Sequence, residues 1–224
     1  MIDTSKLEKY CDPSSPIFVK TQRWELMNYL IDKYKLVNYL EIGVNDGLCI
    51  RQINAEHKDG VDPHPGSEVG GMHVPEINYP ITSDSFFELI KDHDVKYDMI
   101  FIDGLHHADQ VDKDIQNALN HVVDGGFIIM HDCNPLEYHM QLVPRVTGLW
   151  NGDVWKSIVK LRCTEPKLEV MVIDADWGVG MVRKGKQKLY TKAPLEECLT
   201  WDYFNTNRNK LINLITVEEF YKKF

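Results

Sequence analysis

Two hydrophobic periods alternate along this chain, and the switches between them lay out its elements. In residues 20–34 the apolar positions Trp24, Met27, Leu30 and Ile31 fall three and four apart, the spacing of a helix with one buried face. From residue 37 the period shortens. Residues 37–42 form a brief apolar run that ends in a glycine loop and predicts the first of several short strands. A second strand ends at Val61-Asp62, a loop rich in Pro, Gly and His runs through Pro75, and a third strand covers residues 76–79. Residues 97–103 and 127–131 contain Met99-Ile-Phe-Ile102 and Phe127-Ile-Ile-Met130, apolar without polar alternation, as expected of strands covered on both faces.

Helical segments fill the intervals. Ser83 or Asp84 can cap one that runs to about residue 91, and residues 108–122 form the next. Asp124-Gly-Gly reads as a turn, residues 153–161 as a helix, residues 168–173 and 178–182 as a closing antiparallel pair, and the tail from Pro194 as helices. Strand, helix, strand, helix with short links argues for an α/β fold, a mostly parallel sheet with helices on both faces. The 224 residues suit one domain, with an N-terminal helical cap over 1–35, a core over 36–185 and a C-terminal helical tail over 186–224.

A formal charge of −9 argues against a nucleic-acid partner, because phosphate attraction needs clustered Lys and Arg. The longest apolar runs are far too short to cross a bilayer, and the N-terminus lacks the features of a secretory signal, so a cytoplasmic protein is expected. Five scattered cysteines with no C-x-x-C pair are expected to stay reduced.

In an open α/β sheet ligands bind beyond the carboxyl ends of the strands, which places the loop Glu41-Ile-Gly43-Val-Asn45-Asp-Gly47 at the site. Its spacing is E-x-G-x-x-x-G, not the G-x-G-x-x-G of dinucleotide binders. A carboxylate at Glu41 suits a cationic or amino-bearing ligand better than a pyrophosphate, although the glycines can equally serve turn geometry alone. Asp62, about twenty residues later, stands where an acidic side chain can accept both ribose hydroxyls or simply face solvent. Asp84 can cap its helix, contact an adenine amine, or do both.

Tyr39-Leu-Glu-Ile-Gly-Val-Asn-Asp-Gly47, Phe101-Ile-Asp-Gly-Leu-His106 and Gly125-Gly-Phe-Ile-Ile-Met-His-Asp132, in that order, resemble class I methyltransferases, especially a small branch found with bacterial sugar and natural-product pathways. The resemblance spans roughly residues 36–135. It implies a Rossmann-like, seven-stranded sheet and S-adenosylmethionine as methyl donor. It further implies that Glu41, Gly43, Asn45 and Gly47 surround the methionine moiety, with Asp62 at the ribose and Asp84 and Asp103 completing the cofactor set.

Asp103 and Asp132 end strands expected to be neighbours about 4.8 Å apart, so their carboxylates can converge. Like charges that close raise a pKa or collect a hard cation. The arrangement is similar to that of metal-dependent O-methyltransferases, which implies magnesium or manganese held by Asp103 and Asp132. Cys133 stands where a harder ligand is expected, and Asn134 could supply the oxygen instead. Backbone caps without any metal are the alternative. His106 fits the family's Asp-Gly-x-His pattern and is the first candidate base, ahead of His107, His131 and His139. The catalytic set is therefore Asp103, His106 and Asp132.

Trp150-Asn-Gly-Asp-Val-Trp155, with Arg162 beyond, could wall an acceptor pocket, and the helix around Trp24 could close it. The segment Trp201-Asp-Tyr-Phe204 docks back or reaches a partner subunit, which leaves a homodimer open. The reading is O-methylation of a small-molecule or sugar acceptor. A nicotinamide-dependent oxidoreductase and a noncatalytic cofactor-binding scaffold are the alternatives; Tyr29-x-x-x-Lys33 mimics a dehydrogenase pair but precedes the first strand.

Overall fold

The computed structural model describes residues 21–64, 74–146 and 148–224, so the first part of the N-terminal cap and most of the Pro-, Gly- and His-rich loop lie outside the described residues. Helix α1, Arg23–Tyr34, buries Leu26, Met27, Leu30 and Ile31, while Glu25 Oε2 accepts from the Gln22 backbone N–H at 2.7 Å to close its first turn. Lys35 ends it in the left-handed region, φ 56°.

Seven strands follow: β1 Asn38–Ile42, β2 His57–Val61, β3 Tyr97–Ile102, β4 Val122–Met130, β5 Leu168–Ile173, β6 Val179–Lys184 and β7 Leu214–Ile215. They form one sheet in the order β2-β1-β3-β4-β6-β5-β7. The β2-β1-β3-β4 half is parallel, and β6 runs antiparallel to both β4 and β5. Between them lie α2 Leu48–Gln52, α3 Ser83–Ile90, α4 Ala108–His121, α5 Trp155–Thr164, α6 Leu195–Cys198, α7 Trp201–Leu211 and α8 Val217–Lys223.

Alternation along the strands divides the core into two layers. Ile100 and Ile102 pack with residues of α3, α4, α5 and α7, whereas Met99 and Phe101 pack with residues of α1, α2 and α8. Each such side chain, taken fully from water, contributes about 1.5–3 kcal/mol. The Rossmann-like layering expected from the sequence is present, and among the described residues no helix is long and apolar enough to cross a membrane.

Three details differ from the sequence reading. Residues 76–79 form no strand. Tyr79 alone bridges Val61, because the Asn78 side-chain oxygen, not a backbone carbonyl, accepts the Gly60 N–H at 2.9 Å. The seventh strand is instead β7, from the tail, paired with β5. Asp124-Gly-Gly is no terminal turn but an irregularity inside β4: the β3/β4 register passes from Tyr97↔Val122 to Met99↔Phe127, with Gly125 at φ 83°. Finally, α3 is capped by Thr82, whose hydroxyl accepts from the Ser85 N–H at 3.2 Å; Asp84 lies within its first turn.

Candidate active site

The strand ladders continue one residue past β1, β3 and β4, which fixes the rim. Gly43 N donates to Val61 O at 2.9 Å, Asp103 N to Ile42 O at 2.8 Å and His131 N to Ile102 O at 3.1 Å. Beyond this rim, at the switch between β1 and β3, opens a cavity of about 770 Å³. Glu41, Gly43, Asn45, Asp62, Asp84, Asp103, His106 and Asp132 all line it; Gly47 does not.

Gly43 serves backbone packing first. A Cβ there would lie 2.2 Å from the Asp103 carbonyl oxygen, and its φ of 89° already favours glycine. Gly47 makes the turn into α2 at φ 79°. Asp62 ties the loop together: Oδ2 accepts from Asn45 N and Oδ1 from His64 N, both at 2.8 Å. Asp84 accepts at 2.9 Å from Gln110 Nε2, which also donates to the buried Asp114. Glu41 is 1% exposed; Oε2 accepts from the Tyr39 hydroxyl at 2.5 Å and Oε1 has no partner. Burial pushes its carboxyl up to about 8, against the Tyr39 hydrogen bond.

Across the cavity a charged network joins four elements. His131 Nδ1 lies 3.3 Å from Asp103 Oδ1 and 3.2 Å from Asp132 Oδ2, and its Nε2 lies 3.3 Å from Asp176 Oδ1. His106 spans the same two aspartates, Nε2 to Asp103 at 3.1 Å and Nδ1 to Asp132 at 3.3 Å. Both His106 and Asp132 hold left-handed backbones, φ 59° and 60°, a conformation uncommon outside glycine. Asn151 Nδ2 donates to Asp132 Oδ1 at 2.7 Å, and Arg23 Nη1 donates to Asp176 Oδ2 at 3.0 Å.

Burial alone would lower both imidazoles, but the facing carboxylates outweigh it. His106 is raised by Asp103 and Asp132, and His131 is raised well above its ordinary value by the same pair. Burial would raise Asp103, yet His131, His106 and Arg23 hold it well below the usual carboxylate range. Asp176 is brought down to about 2, against burial, by His131 and Arg23.

Arg23, Asp176 and Asn151 escaped the sequence reading, because they come from α1, from the β5–β6 turn and from the segment before α5, with no motif to link them to the rim. His131, placed third among the candidate bases, proves central. Its Nδ1 groups with one oxygen each of Asp103 and Asp132, all within 4.8 Å, a donor set that could hold a cation. Asn134 is not brought there: its oxygen accepts from Arg208 Nη1 at 2.8 Å, which removes it from the expected metal set.

The aromatic segment also divides. Trp150 lines the cavity and stacks on His106, centroids 5.3 Å apart and planes 26° from parallel. Trp155 is fully buried against Phe204 and cannot touch an acceptor. Arg162 donates to the Lys188 carbonyl, and His107 and His139 do not line the cavity. Arg23, not Trp24, is the α1 residue in the cavity wall. Tyr29 and Lys33 meet at 3.1 Å on the exposed side of α1, far from any nucleotide loop.

Residues 40–133 match the family described as a methyltransferase domain. No curated protein sequence matches the chain. Among solved structures, a Bacillus cereus O-methyltransferase in complex with S-adenosylhomocysteine is 15% identical, with 75% of this chain and 84% of that one covered and a TM-score of 0.52. A Podospora anserina methyltransferase bound to S-adenosylhomocysteine is 16% identical over 80% and 87% of the two chains, TM-score 0.54. The MycE methyltransferase of the mycinamycin biosynthetic pathway, in complex with magnesium, S-adenosylhomocysteine and mycinamycin VI, is 16% identical over 85% of this chain and 56% of that one, TM-score 0.50. At such identities the likeness is one of fold. The cavity offers carboxylates to a nucleoside that carries an amino acid: Glu41, whose Oε1 is unpaired, and Asp84 both line it. Fold, cavity and family match agree with the resemblance to class I S-adenosylmethionine-dependent methyltransferases read from the sequence, whose methyl donor this cavity would hold.

Proposed function

We propose that this enzyme methylates a hydroxyl oxygen of a small molecule or glycan precursor. The observation that carries the reading is the joint placement of His106, Trp150 and the Asp103/Asp132 pair in the cavity that the glycine loop also lines. When bound, S-adenosylmethionine supplies a methyl group activated by its sulfonium. Glu41, Gly43 and Asn45 hold the methionine end, with Gly47 setting the turn, while Asp62 takes the ribose and Asp84 the adenine amine. His106, in its neutral form, removes the acceptor proton, and Asp103 and Asp132 orient its ring. Trp150 offers a flat face to the acceptor, as aromatic rings do for sugars and planar molecules. Most of the rate then comes from positioning.

The three-donor cluster favours a second route to the same product. Asp103, His131 and Asp132 would hold a divalent ion, whose Lewis acidity lowers the pKa of an acceptor hydroxyl. Two carboxylates with one imidazole suit manganese at least as well as magnesium. MycE was crystallised with magnesium, which makes an ion in such a fold reasonable. Transfer of labelled methyl from S-adenosylmethionine to a panel of phenols, sugars and sugar nucleotides tests the proposal. Label that appears only on nitrogen or carbon acceptors would sink it. We read the whole chain as one cytoplasmic domain.

A further inference from the structure

Two side chains, one basic and one acidic, come from consecutive elements and both line the cavity. Arg23 opens α1, and Glu41, two residues after Tyr39 on β1, points to the sheet face that α1 covers. Each keeps one buried polar atom without a hydrogen-bond partner: Nε in Arg23 and Oε1 in Glu41. The rest of each group is held in place. Arg23 Nη1 is fixed on Asp176 Oδ2 at 3.0 Å, and Glu41 Oε2 on the Tyr39 hydroxyl at 2.5 Å. Arg23 Nε stands 3.8 Å from Asp103 Oδ2, too far for a hydrogen bond.

A buried donor and a buried acceptor left unpaired are both costly, and a ligand that complements the two relieves them together. The fragment with an anionic acceptor and a cationic donor on one carbon is an α-amino acid zwitterion. We propose that Arg23 binds the α-carboxylate of the cofactor's amino-acid end, near Glu41, which takes its ammonium. This rests on the reading of Glu41 as part of the cofactor loop. Arginine suits the role because its planar fork can keep Asp176 on one nitrogen while offering others to a carboxylate. Burial holds the Glu41 carboxyl near 8, and an ammonium at Oε1 supplies the charge that lets it ionise. The bland alternative is that Arg23 only pins α1 to the β5–β6 turn through Asp176.

Calorimetric binding of three ligands separates the two. S-adenosylhomocysteine carries the whole zwitterion, its decarboxylated analogue S-adenosyl-3-thiopropylamine keeps only the amine, and 5′-methylthioadenosine has neither. Arg23→Gln is expected to weaken S-adenosylhomocysteine about 10- to 100-fold, the worth of a charge-assisted hydrogen bond, and to leave the other two unchanged. Glu41→Gln is expected to weaken the first two and spare 5′-methylthioadenosine. Equal losses for all three ligands in Arg23→Gln, or no loss for any, would overturn the assignment. Undiminished 5′-methylthioadenosine binding also shows that the variant is folded. A wild-type protein that binds none of the three overturns the cofactor reading itself.

Discussion

Asp103 and Asp132 are joined twice, once through the His131 ring at 3.3 and 3.2 Å and once through the His106 ring at 3.1 and 3.3 Å. Two carboxylates at the ends of adjacent strands would repel, and the imidazoles between them relieve that repulsion when protonated. The same groups that stabilise the rim are thus those that would move a proton, which makes the site's chemistry and its pH dependence inseparable.

His106→Ala is expected to reduce methyl transfer about 10²- to 10⁴-fold if His106 is the base. Chelator is expected to leave the wild type unaffected in that case, and to abolish activity if the Asp103-His131-Asp132 cluster works through a metal. Single-turnover rates with and without chelator measure both. Full activity in chelator together with full activity of His106→Ala would exclude both routes.

Activity is expected to rise with pH, with an apparent midpoint above the ordinary imidazole value of 6.5, because only neutral His106 can accept a proton and its pKa is raised. Stability should run the other way. Raised His106 and His131 contribute fully below 6.5 and lose that contribution as pH climbs through their folded values, and Glu41, raised to about 8, acts in the same direction. Asp103 and Asp176, lowered from 3.8, contribute above that value and lose it on acidification. Thermal unfolding from about pH 5 to about pH 9 checks the sign. A melting temperature that climbs through the alkaline range contradicts it.

Asp62→Ala is expected to weaken S-adenosylhomocysteine by about 1–3 kcal/mol, through lost hydrogen bonds to ribose and a loosened Asn45 amide. Titration calorimetry reads it; an unchanged dissociation constant returns Asp62 to a purely structural tie between Asn45 and His64.

Gly43→Ala is expected to destabilise the fold by more than about 1 kcal/mol, since both its φ and the Asp103 carbonyl oppose a side chain. Denaturant unfolding without ligand measures this. An unaltered midpoint would show that the β1/β3 junction can yield.

Trp155→Ala is expected to cost about 3–5 kcal/mol of stability, as a deleted core aromatic does. Trp150→Ala should leave stability nearly intact and raise the acceptor KM. Denaturation and steady-state kinetics on the two variants distinguish core from pocket.

Local pattern alone carried the order of elements, the burial of residues 97–103 and 127–131, and the rim positions of Gly43, Asp103 and Asp132, because strand period and glycine turns are properties of adjacent residues. Only the tertiary structure decided which seventh strand completes the sheet, that His131 rather than Asn134 joins the aspartates, and that Trp150 and Trp155 part company. It alone brought Arg23 and Asp176 to the rim, since Arg23 lies more than a hundred residues from both His131 and Asp176. Such contacts are fixed by how α1 and the β5–β6 turn dock on the sheet, and no local periodicity encodes that.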